Sequence, residues 1–543
     1  MKIRISKSEK GLALFAVTVF TCLFVLLGFS MLHLAKTEIV MTRKDLNSTQ
    51  AFYAAEAGLE YGIVNIKSLL SEKRQIMELG SKVDIADYYD VSPPELEGFT
   101  FDTFAIEKVG DCESKVLDSG PYQGMEGYTQ RYKITSQASV DGTVGASVRL
   151  VQWIEDQRLH LFQFAAFYDQ DLELEPGAEM IITGRIHSNH DIFLTSGRTL
   201  SIDSYITSAG DIYRTSKPGD PVEENGTVQV KDAYGDYQVM DFDCTDSDWT
   251  DKALATWGGT VLSQAHATSE LNLPISTDFE PEDIIKRGEF GDTQAFKETN
   301  LYWQADIRII DGVAYNKSGQ VIDLSGVIDT SKTFHNYREG KDIKVTEIDL
   351  FKMHTDNLFP PNGILYVSSN LAGADQQDGV RLVNGKVLPS EGLTVATDNP
   401  LYIQGDYNIN GKPASVMCDS INILSNAWTD KDTWKTATKT QVNTSVVAGH
   451  SPTTADGYGG GLENLFRFLE PWTGVTFEWS GSIASLWYSK IATGKWKGGY
   501  PYYRPPVRKW SFDEKLRILA NLPPGTPLVC ISLRSNWQQE SSL

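Results

Sequence analysis

The chain has 543 residues, long enough for about two to four domains with sizeable cores, and 41% of them are hydrophobic. Its 49 basic against 71 acidic residues give a formal charge of −22, and loss of residues 1–11, with four basic groups and one acidic, leaves −25. A surface of that sign repels nucleic acid and anionic lipid, so direct phosphate binding is excluded as a general mode of action and no nucleic-acid partner is expected.

Lys2, Arg4, Lys7 and Lys10 form a basic leader (residues 1–11) ending at Gly11, and Leu12 to Ala35 contains no fixed charge. As a helix, Leu12 to Leu34 spans about 34 Å at about 1.5 Å per residue, enough to cross a bilayer. Residues 12–35 are therefore assigned to the membrane. The cationic leader keeps the short N-terminus cytoplasmic, which places the C-terminal region in the periplasm. A secretory signal peptide would show a shorter apolar core and a small-residue cleavage site, and neither is seen. No proline occurs before Pro93, and Phe52, Ala55, Leu59, Ile63, Ile66 and Leu70 recur at steps of three and four. One helix is predicted over residues 12–79. A coiled coil is the alternative for its external half, but the stripe is short and its charges irregular.

The segment from Lys10 to Ile63, with AFYAAEAGLE at residues 51–60 as its most distinctive part, resembles the N-terminus of PilX-type pilus-assembly proteins and related type IV pilin-like subunits. The resemblance implies cleavage by prepilin peptidase between Gly11 and Leu12. It also implies a helix that serves first as membrane anchor and then as filament core, with pilin-like subunits and the pilus assembly machinery as partners. Two positions depart from the pattern of major pilins: Leu12 stands where the mature chain usually begins with Phe or Met, and Ala16 where it carries Glu. A buried Glu is costly unless paired, and in pilins it is thought to offset the terminal ammonium of a neighbouring subunit. Ala16 cannot do so, which suits a minor or initiating subunit at a filament tip. An uncleaved single-pass anchor is the alternative.

Residues 80–160 read as a small pilin-like α/β region. Strands are predicted at Phe99 to Val109, Tyr128 to Val140 and Thr143 to Trp153, the last two joined by Asp141-Gly142 as a two-residue hairpin.

Residues 161–425 carry an internal repeat. At an offset of 20, Glu179 to Thr195 aligns with Thr199 to Thr215, pairing Met180 with Leu200, Ile182 with Ile202, Ile186 with Ile206, Ser188 with Ser208 and Ile192 with Ile212. Short strands at that period suit the coils of a parallel β-helix, with a β-sandwich as the alternative. Strand-sized runs at Ile364 to Val367, Val380 to Val383, Leu393 to Ala396, Leu401 to Ile403, Val416 to Met417 and Ile421 to Leu424 extend the solenoid. Residues 216–360 break the period and read as an insertion.

Stacked coils would bring Asp191 beside Asp211, with His187 and His190 close by, and paired carboxylates are what polysaccharide hydrolysis or a calcium-assisted lyase needs. Asp and Ser recurring before a strand more often supply corner hydrogen bonds. His187 and His190 lack the further ligands of a zinc set, and the acidic run from Asp241 to Asp251 lacks the Gly and Glu of a calcium loop. No phosphate loop, dinucleotide fingerprint or nucleophile elbow occurs, so neither cofactor nor metal is expected and no reaction is assigned.

Eight of the twelve tryptophans fall after residue 425, in an aromatic-rich region taken as 426–543. Leu462 to Glu470 reads as a short helix with Glu463 and Arg467 spaced for an ion pair. GLENLFRFLEPW, GSIASLWYSK and Pro-Pro-Gly at 523–525 are similar to large PilX-like proteins. Cys112, Cys244, Cys418 and Cys530 could form two disulfides in an oxidising exterior. The expected fold is α+β, mainly β: a long N-terminal helix, a small antiparallel sheet, a β-helix-like body and an aromatic-rich C-terminal region. The expected role is a minor pilin-like or pilus-assembly protein that presents its body, with adhesion as one use. A tethered polysaccharide-active enzyme and a type II secretion pseudopilin are the alternatives.

Overall fold

The computed structural model describes residues 7–72, 92–118, 120–142, 146–220, 225–273, 279–455 and 457–540. A single helix, α1 (Lys7–Glu72), opens the chain, and the last residues of the predicted helix, 73–79, lie outside the described ones. Its second half is amphipathic as the stripe requires: Ala55, Leu59, Ile63, Ile66 and Leu70 are buried, with Phe52 at the margin.

These residues pack on an antiparallel sheet of β1 (Phe99–Val116), β2 (Glu126–Val140), β3 (Ser147–His160) and the chain's final strand, Leu528–Glu540. Tyr132, Ile134, Ala138, Val148, Leu150 and Ile154 meet the helix across one core. Two helix glycines set the closeness of this contact. A Cβ on Gly58 would lie 2.3 Å from Ser136 Oγ, and one on Gly62 would lie 2.8 Å from Ile134 Cγ2.

Two expectations change in this sheet. The β2–β3 ladder ends at Ser139 and Ser147, so the connection is longer than the Asp141-Gly142 turn, and Asp141 N–H turns to the Gly98 carbonyl. The C-terminal residues 528–540 belong to this sheet rather than to the aromatic region, because their backbone completes the open edge of β3.

The described residues between His160 and Leu528 form the body, and those two residues are register partners. The chain thus leaves the small sheet and returns to it at one place. In the body's largest sheet, eleven strands stack in the order 261–262, 206–208, 186–188, 166–168, 483–485, 445–448, 414–418, 393–396, 364–368, 307–310, 313–316. All neighbours are parallel except the final antiparallel pair.

This order has a topological consequence. The chain enters the stack at its middle, winds through residues 166–262 to one end, crosses to the other, and winds back through 307–485. Ile483 then pairs with Ala166 and Ser485 with Tyr168, closing a seam between the two runs. Both runs advance in the same direction, so the body has the connectivity of one continuous stack whose chain order has been permuted.

The coils of the first run are three-sided, with strands 172–174, 192–194 and 212–213 on a second side and 180–182, 199–202 and 227–231 on a third. The offset of 20 is realised as register: Met180 pairs with Leu200, Ile182 with Ile202, Ile186 with Ile206, Ser188 with Ser208 and Ile192 with Ile212. All eight apolar members of these pairs are buried in the same core.

The body also corrects several boundaries. Strands 227–231, 261–262, 307–310 and 341–349 all join parallel sheets, so residues 216–360 are not simply an insertion. Strand 445–448 pairs with 414–418, and 467–468 with 421–424, so no break falls at 425. The predicted helix over Leu462 to Glu470 is a 3-10 turn (Leu462–Asn464) followed by strand Arg467–Phe468. Phe466 and Phe468 both face core, a demand a single helical face does not meet, and Arg467 pairs with Glu339 at 2.8 Å rather than with Glu463. The five cysteines are unpaired.

Candidate functional site

Among the described residues, the first half of α1 is a long element with no protein around it. Its membrane-length apolar window has no buried residue, and Leu12, Leu14, Phe15, Phe20, Phe24 and Phe29 all stand in the open. Its polar side chains are arranged for an apolar surrounding. Thr18, Thr21, Ser30 and Thr37 each donate to the carbonyl four residues back, at 2.7–2.9 Å, so their hydroxyls are satisfied within the helix. Gly11 and Leu12 lie in this exposed helix, with nothing within 4 Å of where a Gly11 Cβ would be. Ala16 is exposed on the same stretch.

The second half of α1 is fastened to the sheet by two sets of charges. Arg158 and Asp156 form an ion pair at 3.1 Å with both side chains fully buried, and Arg158 Nη2 donates to the Leu70 carbonyl near the helix end. Ser532 of the final strand donates to Asp156 Oδ1, and Arg534 of the same strand holds Glu60. The apolar rod is therefore rigidly continuous with the folded part of the chain.

On the body, the structure brings Asp191 and Asp211 into one column and employs them in the backbone. Asp191 Oδ1 accepts the Asp211 N–H at 2.8 Å, and Asp171 Oδ1 accepts the Asp191 N–H at 3.1 Å. Ser188 and Ser208 donate to the carbonyls of Gln170 and His190 at the same corners. His187 is buried among Phe167, Phe164 and Tyr122, with Nδ1 2.8 Å from Thr207 Oγ1 and Nε2 3.0 Å from Asn189 Oδ1. Burial depresses its pKa to about 4. His190 is exposed, so the two histidines do not converge. Among the described residues no group of three His, Cys, Asp or Glu side chains could hold a metal ion. In the acidic run, Asp243 closes its own loop through Thr245 and Arg214.

Sequence reasoning missed the buried acids. Burial raises Glu463 and Glu470 to about 7 and Asp398 to about 6. Glu463 accepts from Tyr458 at 3.0 Å and from the Glu175 N–H at 3.3 Å, while Glu470 takes both the N–H and the hydroxyl of Ser425 at 2.7 Å. The flanking Leu-Phe and Phe-Leu pairs of residues 462–472 were the available sign that these carboxylates go inward.

No family model and no curated protein matches the chain. One solved structure similar to it is the competence-associated pilin ComZ from Thermus thermophilus, at 11% identity and a TM-score of 0.27, covering 91% of this chain and 97% of that one.

Proposed function

We propose that the chain is a PilX-type minor pilin-like or pilus-assembly subunit, inserted in the inner membrane through residues 12–35, which joins or primes a type IV pilus and presents its large β-rich body outside. The observation that carries this reading is α1. One uninterrupted helix offers a bare apolar first half, with its hydroxyls satisfied internally, and a second half locked to an antiparallel sheet. In lipid the bare half serves as anchor; among sister subunits the same side chains bury one another, with no change of fold.

Prepilin peptidase would act between Gly11 and Leu12, on the cytoplasmic side. Ala16 brings no carboxylate to meet a neighbour's new ammonium, which suits a tip or initiating position better than a repeating one. The body then works by display, with adhesion as one use. Mass spectrometry of the mature N-terminus, with and without the peptidase, tests this: a chain starting at Leu12 and sedimenting with fibres is expected. A chain that still starts at Met1 and never co-sediments with a filament would sink the reading.

A further inference from the structure

Charge is unevenly spread over this chain. Residues 431–439 and 490–509 hold nine basic groups and one acidic, a net +8, so the rest of a chain that totals −22 carries −30. The fold brings these segments together at one corner of the body. Ala437 N–H donates to the Pro471 carbonyl at 3.1 Å and Trp472 N–H to the Arg504 carbonyl at 3.0 Å, while Lys439 and Lys509 flank Glu478 at 3.0 and 3.4 Å. Trp434 meets Tyr500 with ring centroids 5.1 Å apart and planes at 90°.

The carboxylates at this corner leave cations over. Asp430 is held by Arg381, and Glu478 by its two lysines. Glu470 is buried on Ser425, where desolvation pushes its carboxyl up against the pull of Ser425 and Lys435. Asp432 is exposed and accepts the Trp434 N–H at 3.3 Å. Lys431, Lys435, Lys497 and Arg504 are exposed, and none of them is in an ion pair among the described residues. The aromatic tip between them is held in place: Gly499 and Tyr503 exchange backbone hydrogen bonds at 2.8 and 3.1 Å. Tyr503 is buried, donating to Asn464 Oδ1 at 2.9 Å and accepting from Trp496 Nε1 at 2.8 Å. The turn so anchored leaves Tyr500 73% exposed. A perpendicular contact covers at most one face of either ring, so Tyr500 and Trp434 each keep a face for a ligand.

We propose that this corner binds an acidic polysaccharide, with sugar rings lying on Tyr500 and Trp434 and their carboxylates on the unpaired cations around them. The C–H face of a sugar ring fits the electron-rich face of an aromatic ring, and a carboxylate fits an ammonium or a guanidinium. A nucleic-acid strand also offers ring faces, but with a phosphate about every 3.4 Å it would run a dense negative line from the corner onto repelling surface. An acidic peptide answers the cations and leaves the exposed rings unused. Adhesion through this corner rests on the display proposed above, whereas the binding itself belongs to the single chain and is measured without a filament.

The test is calorimetric titration of the full chain in detergent with hexagalacturonate and, in parallel, with maltohexaose, hexaglutamate and hexathymidylate. Hexagalacturonate is expected to bind at least about tenfold more tightly than each of the others, and less tightly as salt rises. Tyr500→Ala should weaken it about fivefold, and Tyr500→Phe, which keeps the ring face, should leave it unchanged. Lys497→Glu combined with Arg504→Glu turns two attractions into repulsions and should weaken it at least about tenfold. All three side chains are exposed, so thermal unfolding should not shift in these variants. Absence of binding, equal binding of any of the three other hexamers, or full affinity in Tyr500→Ala or in the double variant would overturn the proposal.

Discussion

Arg534 on the final strand holds Glu60 on α1 through two parallel hydrogen bonds, Nη1 to Oε1 at 2.6 Å and Nη2 to Oε2 at 2.8 Å. A strand more than 470 positions away in the chain thus grips the helix in the middle of its packed half, between Leu59 and Ile63. Both side chains are about half exposed, 49% and 50%, so solvent screens the pair. Glu60→Ala or Arg534→Ala should lower stability by about 1 kcal/mol or less, and a double-mutant cycle at low and high salt should show the coupling shrink with salt. A coupling that ignores salt would mean the contact acts through packing instead.

The deeper fastening should behave differently. Asp156 and Arg158 are fully buried, and Arg158 also ties the Leu70 carbonyl to β3. Removing only the acid, as in Asp156→Ala, takes the carboxylate of the pair from a fully buried guanidinium and should cost about 3–5 kcal/mol. Asp156→Asn, which keeps acceptor capacity toward Ser532, should cost less. Chemical denaturation of the detergent-solubilised chain separates the two; equal losses would show that shape, not charge, decides this site.

Where chain neighbours become spatial neighbours, the fold was legible. Ile186 and Ile206 stand 20 residues apart and also lie side by side, because parallel stacking turns a sequence period into a register. The α1 stripe was legible for the same reason, through helical period. The pairing of Ile483 with Ala166 follows no period, since the two runs meet only after the chain has crossed the whole stack, and no local pattern announces that the final strand returns to β3. LENLFRFLE was misread because its charges at positions 463 and 467 also fit a helix, whereas both are consumed by long-range partners. The long apolar stretch of α1 was readable from charge and hydropathy alone, whereas the Gly11–Leu12 cleavage rests on the resemblance. Whether Asp191 or His187 was free to act depended on burial, which one sequence does not display.

The bare half of α1 gives a direct prediction for insertion. Leu26 sits near the middle of the exposed apolar stretch. A carboxylate there should cost about 2.5–3.5 kcal/mol at the bilayer centre, so Leu26→Asp should shift a large share of the chain out of the membrane fraction. Leu26→Ala should leave it in place. Resistance to alkaline extraction measures both, and an Asp variant that stays as firmly bound as the parent would show that this stretch does not span the bilayer.

Glu470 supplies the pH dependence. Its side chain is fully buried, and desolvation raises its pKa from 4.5 to about 7 against the pull of the two Ser425 hydrogen bonds. The folded chain therefore holds this proton more tightly than the unfolded one. The stability it contributes is complete below pH 4.5, fades as pH rises toward 7, and is absent above, a difference of about 3 kcal/mol at most. Glu470→Gln mimics the protonated form at every pH and keeps an acceptor for the Ser425 N–H. The variant should match the parent at pH 4.5 and exceed it in stability at pH 8. His187 and His450, whose pKa values burial depresses to about 4 and about 3, push the other way, losing stability as pH falls below 6.5. They are present in both proteins and cancel in the difference. Denaturant unfolding at pH 4.5 and pH 8 is the measurement, and a parent-to-variant gap that stays constant between them would place the ionisation of Glu470 outside the stability of the body.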